Sequence, residues 1–321
     1  MKLISIAKII NARLEGNPDL EISSLGSGNE TKAKSIIFIS SKKLIPVNFS
    51  DYGAILTSEK LKKEFPNCNI LISSNPRLSF AELSKIFSDY PCFIGLKSIT
   101  PIKKITTGNN VSIGLNCFFG HNVVIEDNVV IGNNVIISHN SVICRDTIIG
   151  NNVNIGPGTV VGSEGFGNVR DENGSWVHIF HHGKVKIFDN VSIGSNCSID
   201  KGTLKDTLIH EGVIIDNLVH IAHNVSIGEN TAIAAKVGIA GSCVIGKRNM
   251  IGGMVGIVDH ITTADDVIIS ATSTVNKDIK EPGTYTGIMP ISYHASWKRI
   301  ALWITKLDKI VKLLNLKKSK L

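Results

Sequence analysis

The chain has 321 residues, 43% of them hydrophobic and 6% aromatic, with 29 glycines and a formal net charge of +7. That apolar fraction supports a packed core, and the glycine-rich, aromatic-poor mix favours thin regular layers over a bulky aromatic interior. The basic balance admits an acidic partner, but so few aromatics and no recognisable motif argue against nucleic acid.

Six cysteines (Cys68, Cys92, Cys117, Cys144, Cys197 and Cys243) form no CxxC pair, which argues against a zinc or disulfide framework and for a reducing compartment. No apolar run approaches the roughly 18–20 residues of a transmembrane segment. The opening "MKLISIAKII" is broken by Lys8 and lacks a small-residue cleavage site, so it reads as an amphipathic helix. Three short apolar runs, "SIIFIS", "YGAILTS" and "NCNILISS", read as strands. "RLSFAELSKIF" reads as a helix, with Leu78, Phe80, Ala81, Leu83, Ile86 and Phe87 near helical spacing. Residues 1–100 are therefore expected to form a small α/β domain.

From Val111 the chain repeats in sixes: VSIGLN, CFFGHN, VVIEDN, VVIGNN and onward for nine hexads to residue 164. Two more cover 191–202, and after a four-residue interruption twelve run from Thr207 to Asp278. Within those twelve, position three is isoleucine except at Thr263 and Val275. A period of six fits neither a helix nor a flat hairpin. It fits one short strand and one turn per hexad, with three hexads closing a triangular coil of a parallel β-helix, about eight coils in all. Position three is expected to fill the axis, and the small residue at position four to permit the corner. The repeat domain spans 101–290. Residues 163–190 break the period and read as a structureless ejected loop, of the kind that often carries function. Its histidines His178, His181 and His182 are expected at the solvated surface. Residues 291–321 read as one basic amphipathic helix, with Ile300, Leu302, Trp303, Leu307, Ile310, Leu313 and Leu314 as the apolar stripe.

A smooth prism has no pocket, so chemistry must come from groups stacked along one edge. His223 is position five of its hexad, and Gly241, eighteen residues on, is position five one coil higher, roughly 4.8 Å away. His260 lies two coils and one residue above His223. An imidazole can take a proton from an attacking nucleophile, and a glycine amide at a corner can donate to a developing oxyanion. Ala222, Ala234, Ala235, Gly238 and Ala240 leave room along the wall, a pattern that suits acyl transfer with an apolar chain. The structural alternative stays open at this point. His121 and His139 also occupy position five eighteen residues apart, so histidine can decorate such a corner without chemistry. Lys247 and Arg248 read either as a solvated corner or as a basic landing patch, and Asp216–Asn217 as a turn.

The segments "IDNLVHIAHNVSIG", "GIAGS", "GSEGFG", "GSWVHI", "HHGKVKI", "IDKGTLKDT", "KEPGTYTGIMP" and "SWKR" carry a resemblance along nearly the whole chain. They are similar to the UDP-3-O-(3-hydroxyacyl)glucosamine N-acyltransferases of lipid A biosynthesis. The hexads alone are shared by many acyltransferases. The resemblance implies a left-handed parallel β-helix and transfer of an (R)-3-hydroxyacyl chain from acyl carrier protein to the amine of UDP-3-O-acyl-glucosamine. It implies His223 as general base, Gly241 as oxyanion donor, His260 in the site, and Asn224 as helper of His223. It implies that residues 1–100 bind uridine, with Phe38 on the uracil; the tyrosine expected six residues later falls on Leu44, leaving Tyr52 as the other candidate. It further implies a homotrimer with sites between subunits, and no metal or cofactor beyond the phosphopantetheine on the carrier protein. Lys247, Arg248, Lys277, Lys298 and Arg299 would face that acidic carrier protein, in the cytoplasm of a Gram-negative bacterium. The competing readings are another hexapeptide-repeat acyltransferase making an O-acyl or N-acetyl product, and an inactive trimeric scaffold.

Overall fold

In the computed structural model, which describes residues 1–26, 33–87, 105–287 and 291–313, the chain divides into two compact units, Met1–Ile99 and Thr100–Leu321. The first is built on a five-stranded sheet in the order Arg13–Glu15, Ile70–Ile72, Ala54–Thr57, Ser35–Phe38, Ser24–Leu25. Its central strands are almost entirely buried and mostly apolar, with Ser35 and Thr57 the buried polar exceptions, because both faces are covered. Ile36, Leu56 and Leu71 face one core with Leu3, Ile6 and Leu83 from the two helices, Leu3–Ile9 and Pro76–Ile86. Ile37, Ile55 and Ile70 face a second core with Tyr52 and Phe65. The longer helix starts where Asn75 Oδ1 accepts the Leu78 N–H (3.2 Å) and proline occupies the first turn. Leu78, expected in the apolar stripe, is exposed.

The second unit follows from a single register. Val130 pairs with Ile148, Ile136 with Asn154 and Val142 with Val160, each eighteen residues on and parallel. Three hexads therefore make one coil, and the strands form three parallel sheets of nine, nine and seven strands. The stack is deeper than eight coils because Thr106–Thr107 and Gly283–Tyr285, outside the hexad run, add edge strands. Isoleucines at position three, among them Ile125, Ile131, Ile221 and Ile239, are buried as expected. Position one is buried too, by Val123, Val129, Val135 and Val153. Each such side chain contributes about 1.5–3 kcal/mol of burial as an upper estimate.

The corner is made at position six, not position four. Asn116, Asn122, Asn134 and Asn152 hold φ between 56° and 58°, the left-handed region that asparagine tolerates best among non-glycine residues. Their amides also ladder between coils, with Asn116 Nδ2 donating to Asn134 Oδ1 (3.2 Å) and Asn134 Nδ2 to Asn152 Oδ1 (3.1 Å). Glycine at position four answers a different need: a Cβ on Gly132 would lie 2.6 Å from the Gly150 carbonyl oxygen of the next coil.

Both interruptions keep the coil count. Ile149 pairs with Ile187, twenty residues beyond the usual step, and Ile199 with Ile221, four beyond it. The ejected loop is not structureless. It folds as an antiparallel hairpin, Asn168–Arg170 with Trp176–His178, and the Arg170 guanidinium lies 4.8 Å over the Trp176 ring. The C-terminal segment is two helices, His294–Ile304 and Leu307–Leu313, with Leu302, Trp303 and Leu307 exposed. Leu314 and the lysines beyond it lie outside the described residues, as does Cys92. Among the described residues no helix is long and apolar enough to cross a membrane.

A test separates the two glycine requirements. Gly132→Ala should destabilise the solenoid by about 1–3 kcal/mol through the inter-coil clash. Gly238→Ala, whose added Cβ would meet nothing within 4 Å, should change stability by no more than about 0.5 kcal/mol. Urea unfolding of both variants measures the difference, and equal losses would refute the distinction.

Candidate active site

His223 follows the strand His220–Ile221, in one of the nine-stranded sheets. Its ring is held from one side. Nδ1 lies 3.0 Å from Asn224 Oδ1 and 3.4 Å from Thr203 Oγ1. The Asn224 amide cannot turn over without loss, because Nδ2 donates to the Lys205 carbonyl (2.9 Å) and Oδ1 accepts the Thr203 N–H (3.0 Å). An acceptor oxygen facing Nδ1 selects the tautomer with the proton on Nδ1 and leaves Nε2 with its lone pair.

Nε2 faces Gly241. A Cβ added there would fall 2.6 Å from both Nε2 and Cε1 of His223, so no larger residue fits beside the ring. At several other corners the position-five N–H is capped by the position-five side chain one coil up: Leu115 by Asn133 Oδ1 (2.7 Å), His121 by His139 Nδ1 (2.7 Å), Lys247 by Asp265 Oδ1 (2.8 Å); at others, such as Ala235 and Gly253, the described hydrogen bonds include no such cap. The residue above Gly241 is Asp259, and among the described hydrogen bonds it makes no such cap. The Gly241 amide is therefore free to donate to a ligand. His260 takes the left-handed corner one coil higher (φ 60°), donates its N–H to the Gly241 carbonyl (3.0 Å) and is exposed.

These groups line a groove of about 600 Å³ with Phe166, His220, Ala222, Gly238, Gly256, Val258 and Asp259. Its floor is a column of outward-facing position-two residues, His220, Gly238, Gly256 and Thr274, in register across four strands. Neither Gly238 nor Gly256 would bring an added Cβ within 4 Å of anything. The fold does not require these glycines, and the groove is open because of them.

Four groups at the site were not expected from the sequence. Phe166, 82% exposed, projects from the loop into the groove. His220 Nε2 lies 3.7 Å from Asp200 Oδ2, a nearly buried carboxylate that also accepts from Ser163 (3.0 Å) and Ser198 (3.3 Å). Burial pushes the Asp200 carboxyl up, against the pull of His220. His181, expected in solvent, is buried, with its ring centroid 5.2 Å from that of His223. For His220 a signal existed: position two of a strand points outward, as position five does at its corner. For His181 there was none, because the loop has no period.

His121 and His139 follow strands of a different sheet from His223, so they stand on another edge, where they stack (5.2 Å) and cap the chain. Arg248 is fixed to Asp266 (2.7 Å) and Lys247 to Glu229 (3.1 Å), so neither is a free cation. Lys277, Lys298 and Arg299 are exposed. Phe38 belongs to the N-terminal unit, where Phe80 covers one face of its ring (centroids 4.9 Å apart). In that unit Leu44 is exposed and Tyr52 is buried in the core, so Tyr52 has no free face. Glu164, His178 and His181 form one group of metal-ligand type within 4.8 Å. The Lys201 ammonium already sits 2.6 Å from Glu164, and His181 Nδ1 faces the Ile179 carbonyl at 3.0 Å, so the group seats the loop.

That seat is pH-dependent. Burial holds the His181 proton affinity below the usual histidine range, with His223 and His178 adding to the lowering and Glu164 opposing it. The undocked loop binds the proton more readily, so docking is at full strength above about pH 6.5 and weakens as pH falls below it. Hydrogen exchange of the hairpin amides, corrected for intrinsic rate, should speed up relative to the solenoid between about pH 7.5 and about 5.5. Unchanged relative protection would contradict this.

The bacterial transferase hexapeptide (six repeats) family model matches residues 128–163 and 206–241. A UDP-3-O-acylglucosamine N-acyltransferase from Herminiimonas arsenicoxydans is 48% identical over 151 residues, 47% of this chain and 43% of that protein. One from Bordetella avium is 46% identical over 153 residues, 47% of this chain and 42% of that protein. The match thus spans less than half the length of these relatives. Among solved structures, the UDP-N-acetylglucosamine acyltransferase from Campylobacter jejuni aligns over 67% of this chain and 90% of its own, at 20% identity and a TM-score of 0.51. That from Francisella novicida aligns over 68% and 80%, at 23% identity and a TM-score of 0.53. Both share the fold.

Proposed function

We propose that this hexapeptide-repeat chain transfers an (R)-3-hydroxyacyl group from the phosphopantetheine thioester of acyl carrier protein to the 2-amino group of a UDP-3-O-acylglucosamine. The observation that carries the reading is the His223–Gly241 pair: an oriented imidazole whose Nε2 faces a corner with an uncapped N–H. In this reading the amine attacks the thioester carbonyl carbon while Nε2 accepts its proton. The Gly241 N–H donates to the oxyanion. The attack forms the C–N bond; collapse of the tetrahedral oxyanion restores the carbonyl and breaks the C–S bond, and His223 returns the proton to the thiolate. A thioester is already activated, so this chemistry calls for no metal or redox group. Asn224 and Thr203 hold Nδ1–H, and His260 at the rim suits contact with the nucleotide sugar. The acceptor is taken from the similar UDP-3-O-acylglucosamine N-acyltransferases.

The assembly belongs to the same reading. Ile214, Met250 and Ile268 stand exposed on a sheet face with a concavity of about 510 Å³, which a second and third copy would cover in a homotrimer. Lys277, Lys298 and Arg299 suit the acidic carrier protein; Lys247 and Arg248, already paired, suit it less. Phe38 stays the candidate for the uracil, in a cytoplasmic enzyme.

His223→Ala should lower kcat/KM for amide formation by about 10²–10⁴-fold. The assay uses purified UDP-3-O-acylglucosamine and 3-hydroxyacyl carrier proteins, with UDP-N-acetylglucosamine as a hydroxyl-acceptor control. Full activity in the variant would remove His223 as base, and preference for the hydroxyl acceptor would replace the reaction. Gly238→Val should fold normally yet lose most activity by filling the groove floor; unimpaired turnover would place the acyl chain elsewhere.

A further inference from the structure

The ejected loop returns one side chain to the base. His181 is 3% exposed, and its ring meets that of His223 edge-on, at 71° and 5.2 Å. Nδ1 lies 3.0 Å from the Ile179 carbonyl and 3.2 Å from Glu164 Oε2, while Nε2 is buried without a hydrogen-bond partner. Glycines make the approach possible. A Cβ on Gly165 would lie 2.8 Å from His181 Nε2 and 3.0 Å from His223 Cβ; one on Gly167 would lie 2.7 Å from His181 Cε1. Glu164 anchors the arrangement, accepting the His181 backbone N–H (3.0 Å) through Oε2 and pairing with Lys201 (2.6 Å) through Oε1.

We propose that His181 is a positioning residue for His223, a neutral ring that clamps the base so that Nδ1–H stays on Asn224 and Nε2 stays on Gly241. This rests on the reading of His223 as the base. Asn224 and Thr203 hold one nitrogen of that ring, but two contacts at one atom leave it free to rock about the Nδ1 end. On the Nε2 side position 241 is glycine, so no side chain from that corner presses on the ring. The restraint on the ring must come from its flank, and His181 is the aromatic group there. It acts by shape. A proton on its Nε2 would be buried without an acceptor, against a second imidazole, so the ring works in its neutral form.

The test uses the full chain with His181→Ala, His181→Phe and Lys201→Met, and two readouts. Spectra of ¹⁵N-labelled histidine, with His223 assigned through His223→Gln, report its tautomer. The wild type should show a single Nδ1–H form, His181→Ala a mixture, and His181→Phe, which keeps a ring, a largely restored single form. In the acyl-transfer assay, His181→Ala should lower kcat about 10-fold with the acceptor KM within about twofold, the mark of lost orientation rather than lost binding. Lys201→Met, which frees the anchor without touching either histidine, should move both readouts the same way. An unchanged tautomer in His181→Ala, or a Phe variant as impaired as Ala, overturns the proposal. If the wild type transfers no acyl group, the reaction reading fails, and the tautomer spectra still decide the clamp.

Discussion

One constraint organises the molecule: through the uninterrupted hexads, a residue of the solenoid lies directly beneath the residue eighteen positions later, one strand spacing away. A side chain is therefore chosen against its counterpart in the next coil as much as against its sequence neighbours. Isoleucine stacks on isoleucine along the axis, and asparagine amides hand hydrogen bonds up the edge. Position-four glycines exist because the next coil's backbone would meet a Cβ. Such a structure is self-templating, and a departure from the pattern is visible at once. At Gly241 the ladder is broken twice. No side chain there caps the His223 N–H below, and the Gly241 N–H itself carries no cap from Asp259 above. These open amides lie beside the groove, where a ligand can meet them, and that placement gives the corner its chemical meaning.

The glycines sharpen the point. Their abundance looks like a uniform property of the fold, but two populations are present. Gly114, Gly132 and Gly150 are required, since the next coil's backbone, or a side chain packed on it, would meet an added Cβ. Gly238 and Gly256 face open space and are not required by packing. Unforced glycine costs backbone entropy in the unfolded chain, so its placement in register on the floor of the groove reads as room kept for a ligand.

Much of this was legible beforehand, for a physical reason. A period of six fixes which residues face inward, and arithmetic on that period alone puts His223 and Gly241 at one corner. The coil count survives both interruptions, so the arithmetic held. What escaped had no period. His181 reaches His223 by the folding of a loop whose contacts are tertiary. The corner was assigned to position four because glycine suggests a turn, when asparagine at position six makes it. His121 and His139 were grouped with His223 by hexad position, but hexad position names a place within a coil side and says nothing of which of the three sides it is. Arg248 read as a free cation because Asp266, eighteen residues on, was not read as its partner.

The electrostatics of the base fit the proposed chemistry. Among the described residues no carboxylate bonds to the His223 ring; the group on Nδ1 is an amide oxygen, itself fixed by the Lys205 carbonyl and the Thr203 N–H. Asp200, which could have served, is turned to Ser163, Ser198 and His220. An amide oxygen orients an imidazole and selects its tautomer without adding negative charge. In the proposed cycle His223 must take a proton from an amine and give it to a departing thiolate within one turnover. A base held in place by neutral groups, with His181 neutral at its flank, suits a proton that has to be returned.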